Sequence, residues 1–200
     1  MIVIIDYGLG NLSSVLNALN EIGEEAFISN RIEDIERADK IILPGVGAFN
    51  DGMKNLINLG LDKCLYEQVI IKKKKFLGIC LGMQLIAEEG FENQNTKGLG
   101  WIKGSVKKLE VNGLKLPHIG WNNIQFTNSK LFKEIEQDTD VYFVHSFHFI
   151  CNDKENIAAT CSYGDTFTAA IQKGNIYATQ FHPEKSHKHG LKILKNFIED

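Results

Sequence analysis

One stretch of this sequence could build a nucleophile. Cys80 lies in Gly78-Ile79-Cys80-Leu81-Gly82, between the apolar run Phe76–Ile79 and a segment with helical spacing. G-x-C-x-G at a strand-to-helix junction is the thiol counterpart of the G-x-S-x-G nucleophile elbow. The two glycines allow a sharp turn free of Cβ clashes. The sulfur then sits at the positive end of the following helix, which favours thiolate over thiol. The backbone N–H of Leu81 points at the same spot and can hold a developing oxyanion. A cysteine taken at random is more often a small core hydrophobe. What sets Cys80 apart from Cys64, Cys151 and Cys161 is this context, because none of those three has a chemical neighbour in sequence.

A thiolate needs a base, and the base needs a group to orient it. Gln180-Phe181-His182-Pro183-Glu184 follows the apolar run Ile176–Thr179. Pro183 restricts the backbone of His182. A carboxylate from Glu184 on one imidazole nitrogen would fix the tautomer and leave the other nitrogen for Cys80. Taken alone, His-Pro-Glu is a weak signal, equally consistent with a surface histidine and a solvated glutamate. A metal is the competing use of Cys and His, but the six histidines come without a CxxC or HExxH spacing, so no metal and no cofactor are expected. His187 and His189 read as solvated residues before the last helix. Pro44-Gly45-Val46-Gly47 can bring backbone N–H groups close to a ligand, or can be an ordinary strand-to-helix turn. Asp6-Tyr7-Gly8-Leu9-Gly10-Asn11 lacks the third glycine of a dinucleotide fingerprint and reads as the turn into a helix. His118, Trp121, Tyr142, His145 and Phe147 fall in strand-like stretches, where packing is the plain expectation. Lys72–Lys75 reads as a solvated helix end.

The elements that must carry these residues alternate in the first half. Residues 1–5 form a continuous apolar run, as in a strand buried on both faces. Asn11 can cap a helix with apolar positions Leu12, Val15, Leu16, Leu19 and Ile22, stopped by Gly23. Strands are expected at Ala26–Ser29, Lys40–Leu43 and Phe76–Ile79, with helices at residues 49–59, 61–71 and 81–89. This order argues for βαβ units and a parallel sheet. After residue 100 the pattern changes. Short strand-like pieces surround Gly104, Gly113, Pro117 and Gly120, and β-branched or aromatic runs occur at Val141–His145, Ile157–Tyr163, Thr168–Ile171 and Ile176–Gln180. Gly164-Asp165 and Gly174-Asn175 supply turns, and Gly190–Ile198 reads as a closing helix. The expected architecture is α/β: a single domain over residues 1–200, a mostly parallel central sheet flanked by helices, and an added antiparallel part after about residue 100.

Composition narrows the function classes. The chain has 200 residues, 44% hydrophobic and 24% charged, enough for one substantial core. Lys plus Arg is 22 and Asp plus Glu is 25, a net charge of −3 that leaves no electrostatic footprint for nucleic acid or an anionic membrane. No apolar run approaches the ~20 residues that span a bilayer. The apolar start is short for a signal peptide and has no basic segment before it. Four cysteines without CxxC spacing fit a reduced, cytoplasmic setting.

Taken in order, the motifs form a set: DYGLGN, LPGVGAF, LGICLGMQ, PHIGWN, YFVHSF and QFHPEKS. Together they resemble the class I (triad-type) glutamine amidotransferases over almost the whole chain. More narrowly, they resemble the glutaminase subunits of imidazole glycerol phosphate synthase. GICLGMQ with HPE points to the class. DYGxGN, PGVGAF and PHIGWN point to the subfamily, since other members usually carry Pro-Gly-Gly where this chain has Pro44-Gly45-Val46-Gly47.

The resemblance implies that Cys80 attacks the side-chain amide of glutamine, that His182 passes the proton to ammonia, and that Glu184 orients His182. Leu81 N–H is then one oxyanion donor, with a second from Val46 or Gly47, after a peptide rearrangement if one is needed. Gln84 and the backbone of His145-Ser146-Phe147 would hold the substrate. Ammonia would pass to a (β/α)8 cyclase subunit in a heterodimer, with Asn11, Asn122 and Lys185 as candidate interface residues. Two departures stand out: YFVHSFHF replaces the family's frequent YFVHSYY, and His187-Lys188-His189 follows QFHPEKS. Paralogues of these subunits supply ammonia to cyclase-like partners in surface-polysaccharide (acetamidino sugar) biosynthesis. A non-catalytic regulatory subunit is a third reading, disfavoured because all three triad residues are present.

Overall fold

The computed structural model describes residues 1–200. In chain order the elements are β1 (Ile2–Ile5), α1 (Leu12–Glu21), β2 (Ala26–Ser29), α2 (Ile32–Arg37), β3 (Lys40–Gly45), α3 (Phe49–Asn58), α4 (Leu61–Leu65), β4 (Lys75–Cys80), α5 (Leu81–Leu85), β5 (Glu89–Gly90), β6 (Thr96–Lys97), β7 (Gly104–Lys108), β8 (His118–Phe126), β9 (Thr139–His145), β10 (Phe147–Cys151), β11 (Ile157–Tyr163), β12 (Asp165–Lys173), β13 (Ile176–Thr179) and α6 (His187–Glu199). Nine strands form one sheet in the order β2-β1-β3-β4-β13-β12-β11-β8-β9. Neighbours are parallel from β2 to β13 and antiparallel from β13 to β9. No helix is long and apolar enough to cross a membrane.

The all-apolar strands are explained by burial on both faces. In β1, Val3 and Ile5 enter a core that also holds Phe49, Leu56 and Leu65, while Ile2 and Ile4 enter a second core with Leu19, Leu194 and Phe197. Each such side chain contributes about 1.5–3 kcal/mol by leaving water, so polar alternation on these strands would cost one core or the other. On one side α3 and α4 cover the sheet; on the other, α1 and α6 do. β3 continues through Pro44 to Gly45. Its ladder with β1 ends at Ile42, whereas that with β4 runs on to Gly45 opposite Cys80. The missing proline N–H therefore falls where no β1 partner remains.

Three sequence expectations are corrected. The helix expected over residues 81–89 ends at Leu85. Its last carbonyls are taken by the following loop, with Leu99 N–H donating to Leu85 O at 2.8 Å and Trp101 N–H to Ile86 O at 3.0 Å. Asn11 occupies the N-cap position of α1, but its side chain makes no capping hydrogen bond. The segment expected as one helix over residues 61–71 is α4 followed by a wider turn of π-helical form over Tyr66–Ile71. Two further features were not anticipated: the short helix α2, and a small second sheet, β10-β7-β5-β6.

Candidate active site

The carboxyl ends of the parallel strands β3, β4 and β13 lie side by side, with Gly45 opposite Cys80 and Thr179 opposite Ile79. Segments distant in sequence thus reach one edge of the sheet, the usual place for ligands in open α/β sheets. Cys80 is at the junction of β4 and α5 with φ +52° and ψ −104°. A non-glycine residue in so sparsely populated a region costs on the order of 1–3 kcal/mol, held by the surrounding packing. The flanking glycines serve a different purpose from the turn itself. A Cβ on Gly82 would stand 1.8 Å from Leu43 O, and one on Gly78 would stand 2.6 Å from Gly82 O. They let α5 press directly onto β3 and β4, while Cys80 itself carries the strained dihedrals.

His182 Nδ1 faces Glu184 Oε1 at 2.8 Å, with both side chains only 2% exposed. The segment is anchored to β9, since His182 N–H donates to Tyr142 O at 2.9 Å and Tyr142 N–H donates to Ser186 Oγ at 3.0 Å. Ser186 Oγ–H in turn donates to His182 O at 2.7 Å. His182 Nε2 is buried and has no hydrogen-bond partner. Burial opposes charge on this imidazole, but the thiolate of Cys80 and then the carboxylate of Glu184 outweigh it and push His182 up to about 10. With Nδ1 committed to Glu184, Nε2 is the ring nitrogen left free.

A cavity of about 370 Å³ opens over the elbow. Its lining brings Val46, Gly47, Leu81, Gln84, His145, Ser146 and Phe147 together with Cys80, along with Glu92 and Pro117. His182 and Glu184 are not in this lining, and Glu184 and Lys185 border a separate groove against α1. Gln84 Nε2 donates to Phe147 O at 2.9 Å. His145 Nδ1 lies 2.9 Å from Phe147 O and its Nε2 lies 3.1 Å from His118 Nδ1. Burial pushes His118 down to about 4 and His145 down to about 3, so both are neutral at pH 7 and can form a directional pair.

The candidate interface residues sit in different surroundings, with Lys185 and Asn122 both close to the Trp121–Tyr142 pair of β8 and β9. Asn11 is exposed. Lys185 Nζ lies 5.9 Å from the Tyr142 ring centre. Asn122 is half-buried and donates its side-chain N–H to Ser162 O at 3.0 Å. Beside Asn122, Trp121 is 46% exposed and stacks on His187 at 4.8 Å. Sequence reading gave no role to Tyr7 or Glu92. Tyr7 is buried against Gly45 with its hydroxyl unpartnered, and burial, then the charge of Cys80, oppose ionisation of that hydroxyl. The Glu92 carboxylate accepts from Phe49 N–H at 2.9 Å and lines the cavity. No local pattern marks either residue, because each reaches the site through a contact distant in sequence. No group of three or more His, Cys, Asp or Glu side chains is close enough to hold a metal ion.

Comparison with known proteins places this geometry. The family model "Glutamine amidotransferase class-I" matches residues 3–200. The chain is 50% identical over 200 residues to the imidazole glycerol phosphate synthase subunit HisH 1 of Campylobacter jejuni (strain RM1221), covering 99% of each chain. It is 48% identical over 201 residues to the imidazole glycerol phosphate synthase subunit HisH 2 of Methanococcus maripaludis, covering 100% of this chain and 99% of that one. The structure of PurLQS from Thermotoga maritima superposes with a TM-score of 0.75 at 18% identity, covering 99% of this chain and 97% of that one, which speaks for the fold alone. With a cysteine elbow, a His–Glu dyad and a full-length family match in one chain, this protein belongs to the class-I glutamine amidotransferases.

Proposed function

We propose that this chain is the glutaminase subunit of an imidazole glycerol phosphate synthase, working in histidine biosynthesis in the cytoplasm. Cys80 Sγ attacks the side-chain amide carbon of glutamine, and Leu81 N–H holds the oxyanion with a second donor from Val46-Gly47. His182 Nε2 delivers its proton to the departing nitrogen, so ammonia leaves and a γ-glutamyl thioester remains. Water then attacks the thioester carbon and gives its proton to His182. Glutamate leaves, and the sulfur and imidazole return to their starting state. Gln84 and the His145-Ser146-Phe147 segment hold the amino-acid end. Ammonia passes to a second subunit, a (β/α)8 cyclase in a heterodimer, docked on the face that carries Asn11, Asn122 and Lys185, with Trp121 beside Asn122. The observation that carries this reading is Cys80 at φ +52°, lining the same cavity as Gln84 and the Val46-Gly47 loop.

The test is Cys80→Ala in a histidine auxotroph lacking its own glutaminase subunit. The parent chain restores growth with its cyclase, and the variant restores it only with added ammonium. Full glutamine-dependent activity of Cys80→Ala overturns the mechanism. The same triad also fits a second reading, the polysaccharide-pathway paralogue. Failure of the parent chain to restore growth, with the cyclase present, decides for that reading.

A further inference from the structure

Gln180 follows β13 directly and is fully buried. Its side chain touches the nucleophile: Nε2 lies 3.7 Å from Cys80 Sγ. The polarity of this amide is set by a chain of contacts. Phe147 O can only accept, so the Gln84 atom 2.9 Å from it is the nitrogen. The same Gln84 Nε2 lies 3.2 Å from Gln180 Oε1, which fixes the oxygen end of Gln180 there and turns its N–H toward the sulfur. Cys80 Sγ also lies 3.9 Å from Val144 O, an acceptor that suits only a thiol. Besides His182 and Tyr7, which couple to it through charge, the sulfur thus has one neighbour that favours the protonated form and one that favours the thiolate.

We propose that Gln180 is a further catalytic residue, donating its Nε2–H to the Cys80 thiolate, with Gln84 setting the direction of that donation. This rests on Cys80 being the nucleophile. The contact is long, as befits its role: a strong hydrogen bond would raise the thiolate population but blunt its attack, because thiolate reactivity falls as the sulfur is stabilised. Gln84 thereby serves twice, lining the substrate cavity and polarising Gln180. A substrate that draws on Gln84 reaches the sulfur through the same amide.

The experiment is the pH dependence of Cys80 alkylation by iodoacetamide in the full chain, with the modified peptide located by mass. Gln180→Met keeps the length of the side chain and removes the donor; Gln180→Glu replaces it with an acceptor. The half-maximal pH of alkylation should rise by about one unit in Gln180→Met, making alkylation about ten-fold slower below that pH, and should rise further in Gln180→Glu. Coincident profiles in folded parent and Gln180→Met overturn the assignment. If neither variant folds, the side-chain amide resonances of Gln180 in the unsubstituted chain decide. They should move through the pH range in which alkylation rises and move again once Cys80 is alkylated; resonances that stay still overturn the assignment. A parent Cys80 no more reactive than the other three buried cysteines overturns the nucleophile reading itself, an outcome distinct from unaltered profiles on a reactive Cys80.

Discussion

On the proposed mechanism, Glu184→Gln isolates the group that orients the base. The substitution preserves shape and removes one charge from a pair 2.8 Å apart and 2% exposed on each side. A hydrogen bond with an ionised partner contributes about 1.5–3 kcal/mol, more than a neutral one. Oε2 of Glu184 is already buried without a partner, so the variant also places an unpaired amide there or turns its NH2 toward Nδ1–H. Either arrangement weakens the preference for the tautomer that leaves Nε2 free. A loss of about 2 kcal/mol corresponds to roughly 30-fold in rate. Because Glu184 does not line the cavity, the loss should fall on kcat and leave KM nearly unchanged. The charge that holds His182 up at about 10 is then supplied by Cys80 alone, so the alkaline limb of the rate profile should move to lower pH. The assay is glutamate release from glutamine across pH, with the cyclase present. A kcat within two-fold of the parent, or a loss confined to KM, refutes the reasoning.

Two further outcomes follow from the packing and the buried histidines. Gly82→Ala drives a Cβ to 1.8 Å from Leu43 O, a backbone atom that cannot swing aside; the expected cost is about 3 kcal/mol, a fall of roughly 6–12 °C in Tm. Gly23→Ala meets nothing within 4 Å and only the conformational penalty of φ +84°, so calorimetry should show a loss nearer 1 kcal/mol; equal losses would refute the steric account. His118 and His145 stay neutral in the folded chain down to about 4 and about 3, whereas in the unfolded chain each takes up a proton near pH 6.5. The unfolded state therefore binds more protons in this window. The stability these histidines contribute is complete above about 6.5 and falls with acid, by up to about 1.4 kcal/mol per pH unit for each. Urea unfolding between pH 6.5 and 4.5 should show this slope, and His118→Gln should make it shallower by one proton; an unchanged slope refutes the assignment.

The sequence by itself determined the chemistry that is local. Cys80 and the glycines beside it are contiguous, as are His182 and Glu184, and the apolar runs at Ile2–Ile5 and Ile176–Thr179 already mark strands buried on both faces. Hydrophobic periodicity is a property of neighbours, so the alternating first half and the antiparallel turn of pattern after residue 100 were legible. The end of α5 was not, because the carbonyls that would continue the helix are claimed by Leu99 and Trp101, which periodicity cannot see. The small sheet that pairs β5 and β6 with β7 and β10 was not legible, because β5 and β6 are two residues long and carry no pattern, and β7 and β10 meet across some forty residues of chain.

Only the tertiary structure decided which residues meet. Parallel pairing of β3, β4 and β13 sets Gly45 opposite Cys80 and Thr179 opposite Ile79, so positions 35 and 100 residues apart share one sheet edge. Gln180 joins the site through that geometry, while Tyr7 reaches it from the end of β1 and Glu92 from the loop after β5. Their side chains are ordinary in sequence and acquire a role only where burial leaves each polar atom a short choice of partners. Local spacing can propose a nucleophile and its base, but strand register and close packing set the distances on which proton transfer depends.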